Sequence, residues 1–301
     1  MTKYDLEKSI SPQKGIAASV PLFLIVICVI FTSSLQAQPV NRWIRFFDGQ
    51  NDRDEFFDIF ATAEGGYAVA GYSYLDRQHN GFWIVLADND GGELWRRTYT
   101  DERFPRAGTW CYSLIQADDG GFLLGGRARD ANQRYNFSLL RVSADGERLW
   151  WRIYEEPNNS QCRAVIELKS GEFIGVGRGG EEGEAYAVMV NGDGDVLWEN
   201  TYPGELFYAL RETQGGLLFA GWTAISGSSE RWLLKTDFDG EVLWSRTYNA
   251  GKLLSLVSCP EGGFAAGGHN FPGEDVNWSL LRVNDEGEQL WNRFYDIGES
   301  D

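Results

Sequence analysis

The sequence predicts an all-β fold: a β-propeller of about five four-stranded antiparallel blades, with one surplus N-terminal strand. Three observations lead there. A five-residue pattern led by Trp recurs at near-constant spacing, and a glycine-bounded apolar pattern keeps the same period. After residue 37, no apolar stripe at helical spacing persists for ten residues.

The first pattern occurs six times, led by Trp43, Trp95, Trp150, Trp198, Trp244 and Trp291, and ends on Phe47, Tyr99, Tyr154, Tyr202, Tyr248 and Tyr295. Successive tryptophans are 52, 55, 48, 46 and 47 residues apart. The second pattern spans 65–71, 120–126, 171–177, 215–221 and 262–268, each stretch opening and closing on glycine. A third, Asp/Glu-Gly followed by Leu-Trp, precedes the last five tryptophans (90–95, 145–150, 193–198, 239–244, 286–291).

Each repeat resolves into strands a to d. In the second, strand a is 111–117, b is 122–127, c is 136–142 and d is 147–154, with Asp-Gly and Gly-Gly turns after a and after c. Such dipeptides mark tight hairpins, because glycine reaches φ > 0 at little steric cost. The blades are expected at about 54–99, 109–154, 160–202, 204–248 and 251–295. One blade cannot bury both its faces, whereas stacked blades cover each other. The repeating Trp is the expected wedge between blades. Burying ~200 Å² at ~25 cal/mol/Å² contributes roughly 5 kcal/mol before entropy is subtracted.

On these motifs the chain resembles the quinoprotein-like (PQQ-like) propeller repeat proteins, whose repeats end in a similar hairpin before Trp. It is similar also to exported bacterial and archaeal propeller repeats with Asp-Gly-Gly-Tyr/Phe and Gly-x-x-Leu-Trp. The resemblance spans about residues 43–295 and implies scaffolding, adhesion or carbohydrate contact more than catalysis. Quinone enzymes of this fold use a vicinal cysteine pair and a metal site. This sequence has no Cys-Cys pair, so no cofactor and no metal are expected. The strand at Trp43–Phe47 is a d strand without its own a, b and c, and 295–301 resembles the opening of another repeat. Either five blades close imperfectly around a surplus strand, which is the expectation here, or the ring is longer than this chain.

Residues 1–37 read as an export signal: Lys3, Lys8 and Lys14 precede an apolar run at 20–31, with cleavage expected after Ala37. Counting from Ala17 to Leu35 gives about 19 residues, so an uncleaved signal anchor is the alternative and the only expected membrane contact. The propeller domain then covers 38–301, in a secreted, periplasmic or cell-surface protein. The formal net charge of −17 argues against a nucleic-acid partner, because such a surface repels phosphate backbones. Cys111, Cys162 and Cys259 remain after cleavage, with no CxxC spacing. Cys111 and Cys162 share one register and read as small buried side chains. A bridge between them would need Cα atoms within about 7 Å.

The b–c and d–a connections vary in length, unlike the a–b and c–d turns, and variable loops on a rigid scaffold are where binding concentrates. Tyr74, Trp110, Tyr135, Trp222 and His269 on that face are the candidate ligand contacts. No catalytic residues are assigned: there is no Gly-x-Ser-x-Gly elbow, and His79 and His269 are the only histidines. The acidic turns are expected to use Asp for backbone reasons rather than for calcium. The functional expectation is an exported, non-catalytic binding or scaffold module for protein or glycan. The alternatives are a glycoside hydrolase-like enzyme using loop carboxylates such as Asp76, Asp101, Glu102, Asp130 and Glu155, or an incomplete propeller that completes its ring with another chain.

Overall fold

In the computed structural model, the described residues are 44–49, 54–76, 79–101, 108–154, 158–270 and 277–295. All belong to the compact unit Trp43–Asp301. The export segment, Trp43, Glu102 and Glu155 lie outside them.

Every described element is a β-strand. The first unit comprises β1 (Asp54–Ala61), β2 (Tyr67–Tyr74), β3 (Asn80–Ala87) and β4 (Glu93–Tyr99). The second comprises β5 (Trp110–Gln116), β6 (Phe122–Arg129), β7 (Tyr135–Val142) and β8 (Arg148–Tyr154). The third comprises β9 (Gln161–Glu167), β10 (Phe173–Gly179), β11 (Glu184–Val190) and β12 (Val196–Tyr202). Then follow β13 (Leu206–Thr213), β14 (Gly216–Thr223), β15 (Glu230–Thr236), β16 (Val242–Ser258), β17 (Phe264–Asn270), β18 (Asn277–Val283) and β19 (Gln289–Tyr295).

Pairing is antiparallel between sequential neighbours throughout, in three four-stranded sheets and one seven-stranded sheet. The seven-stranded sheet departs from the expected separation of the last two repeats. Strand β16 pairs with β15 through Ala250 and with β17 from Gly251 onward, so one strand closes the fourth unit and opens the fifth. The expected repeats leave only Asn249 and Ala250 between them, and Ala250 still pairs with Glu230. Gly251, at φ 137°, carries the chain across without a loop.

Four hydrophobic cores form, one between each pair of successive units. The first joins Ala70, Phe82 and Ile84 to Cys111, Leu114 and Leu124. The next three repeat the arrangement along the chain. The first strand of each unit packs on the first three strands of the unit before it, which brings the a strands closest together. The tryptophans that lead the repeated pattern sit at the opposite edge. Trp95, Trp150, Trp198 and Trp244 lie over Gly146, Gly194, Gly240 and Gly287 in the last turn of the following unit. Trp150 and Trp198 also donate Nε1–H to the Gly192 and Phe238 carbonyls, both at 2.9 Å. Tyr99, Tyr202 and Tyr248 donate their hydroxyls to the Gly146, Gly240 and Gly287 carbonyls at 2.7, 2.9 and 2.6 Å. The unit after each clasp is thereby tied at its outer turn as well as at its core.

Those turns account for the acidic residues. Asp88 Oδ1 accepts from the amides of Asp90 and Gly92, and Asn191 and Asp237 do the same in their own turns. Gly91, Gly194 and Gly240 hold φ of 73°, 78° and 83° there. Among the described residues, no His/Cys/Asp/Glu group is placed to hold a metal ion.

Among the described residues, the packing that links successive units does not extend from β1–β4 to β17–β19. The fifth unit accordingly leaves apolar side chains open: Trp278 is 50% exposed, Tyr295 49% and Phe294 43%. On the first unit, residues 44–49 take the place of a preceding outer strand. Phe47 packs edge-on against Phe56 at 6.3 Å, as Tyr202 packs against Phe207 at 5.7 Å.

Candidate functional site

One irregularity recurs in all five units. Strand a carries a β-bulge at Phe57, Tyr112, Arg163, Tyr208 and Leu254, each an extra residue between two ladder pairs. A bulge re-aims its side chain and sharpens local twist, and bulges concentrate next to functional sites. Opposite each bulge stands the last glycine of the second sequence pattern: Gly71, Gly126, Gly177, Gly221 and Gly268. A Cβ there would meet the facing carbonyl of Glu55, Trp110, Gln161, Leu206 or Lys252 at 1.8, 2.0, 2.0, 2.0 and 1.9 Å. The bulge presses the a-strand carbonyl into the place of a side chain, and only glycine leaves room for it.

The bulge residues of four units meet one another. Phe57 lies 5.3 Å from Tyr112 between ring centroids. The Arg163 guanidinium stands 4.1 Å from the Tyr112 ring and 5.7 Å from the Tyr208 ring. A second row joins them nearer the b–c end. Tyr72 stacks on Trp110 at 5.4 Å and 20°, and Arg127 lies between Trp110 (4.0 Å) and the Tyr135 ring (3.8 Å). Phe57 touches both rows, at 5.9 Å from Tyr72 and 6.4 Å from Trp110. The result is a half-buried sheet of aromatic rings with two guanidinium groups set into it.

The electrostatics of this patch stand apart from the acidic remainder. Among the described residues, neither Arg127 nor Arg163 forms an ion pair or a hydrogen bond, and Nε of each is buried without a partner. Trp110 Nε1, opposite Arg127 in register, and Gln161 Oε1, two residues before Arg163 on the same strand, are likewise buried and unpartnered. Burial lowers the Arg127 pKa from its ordinary value, against the opposing influence of Tyr112 and Tyr135. Burial raises the Tyr112 and Tyr208 hydroxyls, opposed by the neighbouring guanidinium groups. All of these shifts leave arginine charged and tyrosine neutral at pH 7. Leaving buried polar atoms unpaired costs about 1–3 kcal/mol each, so this part of the sheet is held at a cost that the packing around it offsets. The contrast with Arg178 is informative. It occupies the Arg127 position in the third unit, yet it bonds the Gly183 carbonyl at 2.6 Å and lies 3.8 Å from Glu205.

The five residues singled out from sequence lie at the ends of strands rather than in loops. Strands β2, β6, β14 and β17 run through Tyr74, Arg129, Thr223 and Asn270, because their ladders continue past the apolar runs that mark them in sequence. The residues fall into two groups. Tyr74, Trp110 and Tyr135 join through Tyr72 and Arg127, with Tyr74 at 5.7 Å from Tyr72. Trp222 and His269 sit in the fourth and fifth units, linked through Lys252. Its Nζ is 4.2 Å from the Trp222 ring, and it pairs with His269 across the ladder. His269 also packs on Trp278 at 4.9 Å. His79 is engaged locally, 2.6 Å from Asp76.

Sequence reasoning missed Phe57, Tyr112, Arg127, Arg163 and Tyr208. The signal was the invariant closing glycine of the second pattern, which marks the bulge across the sheet. Of the carboxylates considered for hydrolysis, the three among the described residues have basic partners: Asp76 with His79 at 2.6 Å, Asp101 with Arg148 at 4.0 Å, and Asp130 with Arg134 at 3.0 Å. Cys111 and Cys162 are free thiols, fully buried, and burial pushes both pKa values up. A cleft of about 460 Å³ opens at the other end, between the turns of the first two units, around Glu64, Asp88 and Gln116. It holds no unpaired cation and no orphaned polar atom, so the inner-strand patch is the better candidate.

No protein-family model matches this chain, and no curated protein matches it. Among solved structures it is similar to the Pan2 WD40 domain of Neurospora crassa, at 9% identity and TM-score 0.47, covering 76% of this chain and 75% of that one. It is similar also to CoXyl43, a GH43 β-xylosidase/α-arabinofuranosidase from a compost microbial metagenome, at 12% identity and TM-score 0.44, covering 77% and 92%. A protein of unknown function from Dyadobacter fermentans matches at 12% identity and TM-score 0.48, covering 80% and 84%. WD40 proteins are β-propellers. Likenesses at this level carry no functional argument.

Proposed function

We propose that this chain is an exported five-bladed β-propeller of the PQQ-like repeat type. It acts as a non-catalytic binding module for glycan or protein through its inner-strand and b–c face. One observation carries the reading: Arg127 and Arg163 lie stacked against aromatic rings with their hydrogen-bonding edges unused, beside the orphaned Trp110 Nε1 and Gln161 Oε1. The export assignment rests on the Lys-rich start and the apolar run at 20–31. The test is a glycan-array and pull-down screen of residues 38–301 beside Trp110→Ala and Arg127→Ala. The expected result is a ligand captured by the parent chain and lost by both variants. A ligand retained by both would place the binding surface elsewhere, and turnover of a captured glycan would favour the hydrolase alternative.

A second reading, a ring completed by another chain, is favoured by the open face of the fifth unit. Among the described residues, no turn covers Trp291 and Tyr295 as the turn at Gly287 covers Trp244 and Tyr248. Light scattering tests it. Self-association abolished by Tyr295→Glu supports it, and a monomer at all concentrations rejects it.

A further inference from the structure

We propose that the ligand of the Tyr112–Arg163 patch is a short oligosaccharide bearing carboxylate groups, a uronate-containing glycan. This rests on the reading of the patch as a binding site and names its ligand class. Two features converge on that chemistry. Phe57, 43% exposed, stands beside the half-buried Trp110 and Tyr112 rings and opens an apolar surface where two units meet. Such a surface suits the C–H face of a pyranose, which is apolar and flat.

The second feature is charge. Stacking fixes a guanidinium by its face and leaves its in-plane donors free, the geometry that grips a carboxylate through two parallel hydrogen bonds. Two such groups stand unpaired in a protein of net charge −17. They are not spent on internal carboxylates, although acidic side chains outnumber basic ones 44 to 27. The same net charge repels long polyanions, so a few carboxylates on a short chain fit better than a dense polymer.

Titration calorimetry decides it, with residues 38–301 and a panel of oligogalacturonates, glucuronoxylan oligosaccharides and oligo-alginates, each beside its carboxyl-reduced counterpart. At least one uronate is expected to bind, and carboxyl reduction to weaken it about tenfold or more, the scale of one charged hydrogen bond. Arg163→Gln should remove most of that preference, and Arg163→Lys should restore part of it. Circular dichroism and melting confirm that each variant is folded. Equal binding of the reduced sugars would overturn the carboxylate inference and leave the site reading intact. Binding of short poly-glutamate in place of every saccharide would overturn the glycan. Uronate binding untouched by Trp110→Ala would sink the ligand and the site together. No saccharide binding at millimolar concentration would also reject the inference.

Discussion

Replacing Gly126 by Ala probes the feature on which the candidate site depends. The added Cβ would stand 2.0 Å from the Trp110 carbonyl oxygen, 2.7 Å from Phe82 Cζ and 2.9 Å from Cys111 Cα. Two of these three neighbours are backbone atoms of the bulged strand, so relief requires β5 and β6 to separate or the bulge to collapse. Overpacking of this kind costs typically 1–3 kcal/mol, and lost ladder bonds add to it. In a chain of this size about 1 kcal/mol corresponds to 2–4 °C, so the melting temperature should fall by roughly 4–10 °C. Gly192→Ala is the control: a Cβ there meets nothing within 4 Å, and its φ is not positive. It should be neutral, or stabilising by about 0.4–1 kcal/mol through the unfolded chain. The assay is guanidinium and thermal unfolding of both variants beside the parent. If Gly126→Ala fell within about 0.5 kcal/mol of the parent, the carbonyl would not be pressed against that glycine. The bulge and the placement of Tyr112 would go with it.

Other outcomes follow from the same geometry. Tyr202→Phe leaves the Gly240 carbonyl with only the longer bond from Asn200 Nδ2 at 3.5 Å and should cost about 1 kcal/mol in unfolding free energy, whereas Tyr295→Phe, on the open face, should change it by less than about 0.5. Burial pushes the Tyr202 hydroxyl up to about 12. A raised folded pKa favours the neutral form, so this stability is complete below the unfolded value of about 10 and is lost as pH rises through the folded value. Urea midpoints should therefore decline through that alkaline window, less steeply in Tyr202→Phe, and an equal slope would reject the assignment. Under native conditions a thiol reagent should modify Cys259 alone in residues 38–301, since Cys111 and Cys162 are fully buried. Fast labelling of all three would contradict the packing of the first three units.

The hairpin turns were legible because they are written in local chemistry. Asp-Gly and Gly-Gly dipeptides specify turns by backbone conformation. The Trp-led strand recurs because each outer edge meets the same turn of the next unit. The candidate site was less legible. Trp110 and Tyr135 were accessible as aromatics near variable connections, but their partner Arg127 looks in sequence like an ordinary strand-end cation. Arg163 and Tyr208 occupy one register with Phe57 and Tyr112, yet share no residue type, so no pattern search groups them. Only the two-against-one pairing opposite Gly71, Gly126, Gly177 and Gly221 does so. The continuous strand β16 was hidden for a similar reason. Asn249, Ala250 and Gly251 have loop composition, and it is pairing on both sides that holds them extended.

That residues from different repeats converge on one inner surface is tested most directly by a double-mutant cycle on unfolding free energy for Tyr112→Leu and Arg163→Gln. The two positions belong to different units, and the guanidinium stands 4.1 Å from the ring. A coupling of about 0.5–2 kcal/mol is expected for a partly desolvated cation–π pair. Additivity within about 0.3 kcal/mol would mean that the two side chains do not meet.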